Sequence, residues 1–381
     1  MSKAEYKRLG DYIGEVNVRN RDLKVTNFLG VSISKEFMPS IANTIGTDMS
    51  TYKIVERGQF AYGPVTSRNG DKVSIALLDE YDNAIISQAY TVFEVIDHEQ
   101  LLPEYLMMWF RRPEFDRYAR FHSHGSAREI FDWEELCDVM LPIPSLTRQR
   151  EIVSEYETLS NRIRLNNQMI QNLEATAQAL YRKTFVDNID KENLPEGWRM
   201  AELGTLVDIK RGASPRPIDQ YMATEGLPWL KISDATSAKS PFIFEVKEFI
   251  KEEGLSHTVY RHAGDLVLSN SASPGLPKFL EIDSCIHDGW LYFDNSTLPL
   301  TFLYLSFQYI RKDLVAEGNG AVFINLKTEI LKKWEIILPQ RDNLESFCDH
   351  VNTLFLLMKT TALENSKLTE LQSLLLAKMG Q

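Results

Sequence analysis

A unit that occurs twice constrains this chain more than any other feature of its sequence. Short phrases from the first half return in the same order in the second, offset by about 195 residues, far beyond the roughly 20–50-residue period of solenoid repeats. Leu9-Gly10 returns as Leu203-Gly204. Val55-Glu56-Arg57-Gly58-Gln59-Phe60 is echoed by Tyr260-Arg261-His262-Ala263-Gly264-Asp265-Leu266. Leu102-Pro103-Glu104-Tyr105-Leu106 is echoed by Leu298-Pro299-Leu300-Thr301-Phe302-Leu303, and Gly125 with Ile130-Phe131 by Gly320 with Phe323-Ile324. Leu141-Pro142 returns as Leu338-Pro339. Each match is short, but the shared order and near-constant offset mark a duplication. The 381 residues provide for two separate cores at roughly 100–200 residues per domain.

A long heptad pattern follows each Leu-Pro phrase. Ile152, Tyr156, Leu159, Ile163, Asn166, Ile170, Leu173, Ala177, Leu180 and Thr184 fall at alternating spacings of four and three, the a/d seam of a coiled coil. The second copy places Phe347, Val351, Leu354, Met358, Thr361, Asn365, Leu368, Gln372, Leu375 and Met379 in the same register. Ser145 is the expected N-cap of the first helix, and Asp342 with Glu345 resembles a capping box at the second. Two amphipathic helices packed on separate cores are the alternative.

Connectivity then dictates geometry. The first helix ends near Phe185, and the polar stretch from Asp187 to Asn193 leads straight into the second domain. Helices that pair within the chain must therefore run antiparallel, with a domain at each end of a seam of ~50 Å at 1.5 Å per residue. Matching the helix centres sets Asn166 against Asn365, near a pseudo-twofold axis. A buried polar pair of this kind costs stability and fixes register.

Both domains read as mixed α/β. Strands are expected over residues 53–55, 60–62, 73–78 and 89–95, and over 229–232, 266–269, 284–286 and 290–293. Helices are expected over 103–111 and 300–311. The loops between them combine Gly, small hydroxyl residues and Arg or Lys. They supply the candidate DNA-contacting residues Arg19, Arg21, Arg68, Asn69, Ser126 and Arg128 in the first domain. In the second these are Lys210, Arg211, Ser214, Arg216, Lys231, Asn270, Ser271 and Asn319. Hydroxyls, backbone N–H groups and Lys suit phosphates, whereas Arg and Asn can bond guanine or adenine edges in pairs. Ordinary surface turns are the competing reading.

Charge narrows the partner. A net charge of -11 argues against a chain that coats DNA non-specifically, because phosphate contacts need Lys and Arg. A local basic face remains compatible with it, as does a partner that supplies positive charge. Catalytic signatures are missing. There is no Gly-x-x-x-x-Gly-Lys-Ser/Thr phosphate loop, no Gly-x-Gly-x-x-Gly fingerprint after a strand and no Asn/Asp-Pro-Pro-aromatic motif of the adenine methyltransferases. His122 and His124 lack a Cys or His cluster in reach by sequence, which fits a solvated or DNA-facing loop better than a metal site. His287-Asp288 fits a structural hydrogen bond better than a catalytic pair. The opening residues lack a signal-peptide stretch, no apolar run approaches the ~20 residues of a membrane span, and the three cysteines are far apart. A reducing cytoplasm is the expected compartment.

The phrase Leu194-Pro195-Glu196-Gly197-Trp198 is followed by Leu203-Gly204, Lys210-Arg211-Gly212 and Pro228-Trp229-Leu230-Lys231-Ile232-Ser233-Asp234. With Gly264-Asp265-Leu266, and Leu338-Pro339 before a heptad helix, the chain resembles the DNA specificity subunit of type I restriction–modification systems over essentially its whole length. The first domain departs more, opening with Tyr6-Lys7-Arg8-Leu9-Gly10 in place of the Trp-containing phrase.

The resemblance implies two mixed α/β (α+β) target-recognition domains joined by an intramolecular antiparallel coiled coil. The expected division is residues 1–144 and 198–340 for those domains, 145–186 and 341–381 for the spacer helices, and 187–197 for a linker. Each domain would read half of a split site on double-stranded DNA, with the helices as a ruler between the halves. Two methyltransferase subunits would carry S-adenosylmethionine, and a motor-nuclease subunit would join for cleavage. The chain itself would hold no cofactor or metal, catalyse nothing and touch no membrane. A scaffold with two protein-binding heads is the reading from another class.

Overall fold

The same closing device occurs in both halves of the chain. The structure, a computed structural model, describes residues 5–40, 46–67, 69–70, 72–125, 129–187, 189–317 and 326–380. Strand Tyr6–Arg8 pairs antiparallel with Met140–Pro142, and strand Arg199–Glu202 with Glu335–Leu338. Each opening strand runs into a single 3-10 turn, Leu9–Asp11 or Leu203–Thr205. The Leu9 N–H donates to the Val139 carbonyl at 2.8 Å, and the Leu203 N–H to that of Trp334 at 2.9 Å. Both leucines are fully buried. The glycine after each is required by close approach. A Cβ at Gly10 would lie 2.7 Å from the Cβ of Cys137, and one at Gly204 would lie 2.9 Å from that of Lys332. The repeated Leu-Gly phrase is thus a packing motif against the short helices Trp133–Cys137 and Thr328–Lys332.

The sheets repeat as well. In the first half, Ile13–Val16, Thr91–Val95, Phe60–Tyr62 and Ile75–Leu77 lie side by side, antiparallel. In the second, Asp208–Arg211, Trp290–Asp294, Leu266–Ser269 and Pro277–Leu280 follow the same order, with Phe242–Ile243 added in parallel at the edge. The turn into the third strand is also shared. Gly58 and Gly264 both have positive φ, at 87° and 97°. Their N–H groups donate to Leu78 and Leu280, which donate back to Gln59 and Asp265. A second five-stranded sheet, running from Met222–Ala223 through Glu248–Ile250, Leu227–Leu230 and Ser284–Ile286 to Val259–Arg261, occurs in the second half.

Several expected elements differ in extent, and the strands expected over 73–78 and 89–95 shorten to Ile75–Leu77 and Thr91–Val95. The strand expected over 229–232 spans Leu227–Leu230, because Asp234 accepts from the Lys231 N–H at 2.9 Å and opens the helix Ile232–Ser237. The helix expected over 300–311 continues to Glu317. Gly320 and Phe323-Ile324 lie outside the described residues.

The long helices are Leu146–Phe185 and Arg341–Lys378. Ser145 Oγ accepts from the Arg148 N–H at 3.4 Å. The second helix opens differently from the expected capping box. It starts at Arg341, so Asp342 lies inside its first turn, and Glu345 instead bonds Arg341 at 2.7 Å.

The chain divides into two compact units, one of Met1–Arg162 with Leu368–Gln381 and one of Ile163–Lys367. In the second, Phe185 meets Phe347 at 4.8 Å between ring centroids and Asn166 meets Asn365 at 2.9 Å, so the helix segments run antiparallel. Ile170, Ala177, Val351 and Met358 are buried along this seam. Near its end the first helix leaves the strict heptad. Tyr181 and Phe185 are buried, while Leu180 is 37% exposed. An untwisted helix drifts from a 3.5-residue repeat, and the rings turn toward Phe302 of the Leu300–Glu317 helix, at 5.5 and 5.3 Å. In the first unit, Gln372 donates to Ser160 at 2.7 Å, and Val153 and Tyr156 share a core with Leu376 and Met379. Buried Gln149 ties the first turn of the helix to its head through the Leu102 N–H and the Gln100 and Pro144 carbonyls.

Candidate functional site

In the second head, loops distant in sequence meet at one corner. Strand Asp208–Arg211 leads into the loop holding Ser214 and Arg216. The turn at residues 287–289 connects Ser284–Ile286 to Trp290–Asp294, and the loop from Asn270 follows Leu266–Ser269. Asp288 is the point where they meet. Its carboxylate accepts from Ser214 Oγ at 2.7 Å and from an Arg216 Nη at 3.3 Å, and an Arg211 Nη lies 3.9 Å away. Its carbonyl accepts from Arg211 Nε at 2.5 Å and from Asn270 Nδ2 at 3.2 Å. The hydrogen bond from Ser214, with the two guanidinium charges behind it, holds the Asp288 carboxyl below the usual range.

The corner is tightly interlocked. A Cβ at Gly212 would lie 2.3 Å from the His287 carbonyl oxygen, and one at Gly289 would lie 2.3 Å from His287 Cε1 and 2.7 Å from Ser271 Oγ. His287 accepts from the Gly289 N–H through Nδ1 at 2.8 Å and packs beside Trp229 and Trp290. Burial pushes its imidazole down to about 4, against the pull of Asp288 and with Lys231 and Arg211 adding to the shift. The ring is therefore neutral at physiological pH and serves structure. Among the described residues, His287 Nε2 and Asn270 Oδ1 are buried without a hydrogen-bond partner.

Arg211, Ser214, Arg216 and Asn270 thus meet at Asp288, with Ser271 beside Gly289. Lys231 stands at the strand-to-helix junction and pairs with Glu248 at 3.1 Å. Lys210 turns away. It precedes Arg211 on one strand, so its side chain leaves on the opposite face, where it pairs with Asp294 at 3.0 Å. Asn319 lies outside the described residues.

The first head brings its candidates together less. The side chain of Arg19 donates to the Thr51 carbonyl at 2.6 Å, and Arg21 is exposed nearby. Asn69 commits its amide to its own turn, donating to the Val65 carbonyl and Ser74 Oγ at 3.2 Å each. Arg68, Ser126 and Arg128 lie outside the described residues. The two loops that carry these residues do adjoin, since the Thr66 N–H donates to the Glu129 carbonyl and Thr66 Oγ1 to Ser123 Oγ, each at 3.0 Å. His122 and His124 face Glu135 at 2.8 and 3.7 Å. No group of three metal-binding side chains occurs among the described residues.

Sequence reasoning missed Asp288 as an organiser, because a lone carboxylate beside a histidine carries no local signal for a partner 74 residues away. The three cysteines are buried and unpaired. No helix among the described residues is long and apolar enough to cross a membrane.

Comparison with known proteins adds to this geometry. The family model described as type I restriction modification DNA specificity domain matches twice, over residues 2–175 and 195–373. The HindI type I restriction enzyme specificity subunit of Haemophilus influenzae is 22% identical over 409 aligned positions, covering 86% of each chain. The MjaVIII specificity subunit of Methanocaldococcus jannaschii is 20% identical, over 63% of this chain and 60% of its own length. Among solved structures, the type I restriction–modification S subunit from M. genitalium aligns with a TM-score of 0.56 at 14% identity, over 100% of this chain and 97% of that one.

Proposed function

Because this chain belongs to the type I restriction modification DNA specificity domain family, we propose that each of its heads reads one half of a split DNA target. The observation that carries this reading is the corner at Asp288. There Arg211, Ser214 and Arg216 of one segment meet the carboxylate of Asp288 from a distant turn, with both arginines exposed and Asn270 buried behind them. Arginine forks suit guanine edges, and hydroxyls and backbone N–H groups suit phosphates. In this reading the paired helices set the distance between half-sites, so that intervening bases are counted without being read. The chain is a non-catalytic specificity subunit. Two methyltransferase subunits carrying S-adenosylmethionine, and a motor-nuclease subunit for cleavage, complete the assembly in the cytoplasm. The partners also resolve the charge problem, since a basic neighbour can hold the phosphates that a chain of net charge -11 holds poorly by itself.

Footprinting of the chain co-expressed with its methyltransferase tests the reading. Two short protected blocks about one helical turn apart are expected. Binding without sequence preference would instead mark the chain as a protein scaffold.

A further inference from the structure

The carboxylate at the centre of the basic corner is out of place in a surface that only attracts DNA. A negative charge beside Arg211 and Arg216 repels phosphate and weakens sequence-independent binding. It does little for stability either. The side chains of Asp288, Arg211 and Arg216 are 41%, 51% and 77% exposed, and exposed ion pairs contribute little. What the geometry does provide is orientation.

Asp288 is itself held firmly. Ser214 fixes one carboxylate oxygen at 2.7 Å, and the turn behind it is packed so closely that neither Gly212 nor Gly289 has room for a Cβ. From this fixed point Asp288 engages both guanidinium groups. Arg211 is held at Nε by the Asp288 carbonyl, and its Nη lies near the same carboxylate oxygen that Arg216 approaches at 3.3 Å. An arginine has five donors in a rigid fork, so donors engaged here leave others directed outward. Its long stem loses less freedom on binding when it is already oriented.

We propose that Asp288 is a positioning residue that sets the specificity of the second head, aiming Arg211 and Arg216 at base edges and discouraging phosphate contact. This rests on the reading of the chain as a DNA-binding specificity subunit. Asp288 acts through the two arginines and does not itself contact a base. A DNA edge that satisfies the outward donors binds without breaking the Asp288 contacts. Phosphates alone must compete with the carboxylate for the same guanidinium groups.

The test uses the full chain in complex with its co-expressed methyltransferase subunits. The target is first mapped from methylated positions in genomic DNA. Binding is then measured across a salt series to a duplex carrying that target and to one with the second half-site scrambled. Asp288→Asn is expected to raise affinity for the scrambled duplex and lower the ratio between the two duplexes by about tenfold. Its salt slope on the scrambled duplex should steepen by about 0.9 for each additional phosphate neutralised. Ser214→Ala, which keeps every charge but releases the carboxylate, should lower the ratio with little change in slope. Equal loss of affinity for both duplexes in these variants, with the slopes unchanged, would show a merely structural role and overturn the proposal. So would an unchanged ratio in both. A wild-type complex that binds the two duplexes equally overturns the DNA-reading premise, and the proposal with it.

Discussion

The side-chain amide of Asn166 donates to the side-chain oxygen of Asn365 at 2.9 Å, and to a Glu364 carboxylate oxygen at 3.0 Å. Asn365 in turn donates to Asn167 at 3.0 Å. Asn166 is only 2% exposed, so this polar network lies within a seam that continues through the buried apolar side chains of Ile170 and Met358. A shift of either helix by one turn would bury these amides against hydrocarbon, which is why such a pair specifies register at some cost in stability.

Replacing one member should therefore cost more than replacing both. Asn166→Leu removes the donor to Asn365 and Glu364 and is expected to destabilise by about 1–3 kcal/mol. Asn166→Leu with Asn365→Leu should recover most of that loss, while helix pairing becomes less uniform. Denaturant melts compare the stabilities, and cysteine cross-linking across the seam reads the register.

Gly204→Ala should be more damaging than an ordinary surface change. The new Cβ would sit 2.9 Å from Lys332 Cβ and 3.1 Å from its carbonyl oxygen, forcing the turn away from the short helix at a cost of about 1–3 kcal/mol. Gly10→Ala, at 2.7 Å from Cys137 Cβ, should act likewise in the first unit. Denaturation midpoints check both.

Acid should weaken the second head through His287. Burial lowers its imidazole to about 4 in the folded state, whereas the unfolded value is ~6.5. Between these values the unfolded chain binds the extra proton, so stability falls as pH drops from about 6.5 to 4, by about 3 kcal/mol in total. Above about 6.5 the group is neutral in both states and contributes nothing. His287→Asn should flatten this limb of the stability profile. Fluorescence of the neighbouring Trp229 and Trp290 follows it, and a limb of equal depth in the variant would assign the effect elsewhere.

Inserting one heptad into both long helices should change the gap between half-sites and leave the half-sites unchanged. Each helix would lengthen by ~10 Å at 1.5 Å per residue. Methylation mapping of the altered complex reads both quantities, and a change in the bases themselves would refute a ruler role for the helices.

Much of the framework was legible because its causes are local or periodic. The heptads express a rule that acts over a few residues, whereas the Leu-Gly, Gly58 and Gly264, and Leu-Pro phrases were legible only as repeats, their turns and strands being completed by distant partners such as Val139, Trp334, Leu78 and Leu280. The loops were legible only as candidates. Arg211, Ser214, Arg216 and Asn270 converge because separate strands of the second head end at one corner. Lys210 points away from that corner through the alternation of a strand whose pairing partner is the distant segment Trp290–Asp294.

The duplication and its helical seam follow from spacing along the chain, which periodic backbone geometry converts directly into faces. Three outcomes depended instead on what non-local packing brought near. Tyr181 and Phe185 took over the seam from Leu180 because Phe302 offered them a ring surface. Asp342 lost its capping role when the helix began at Arg341. Asp288 became an organiser through Ser214 and two arginines that linear spacing does not connect to it. Short-range regularities repeat between the two halves, whereas the chemistry of each head is assembled from residues that only folding makes neighbours.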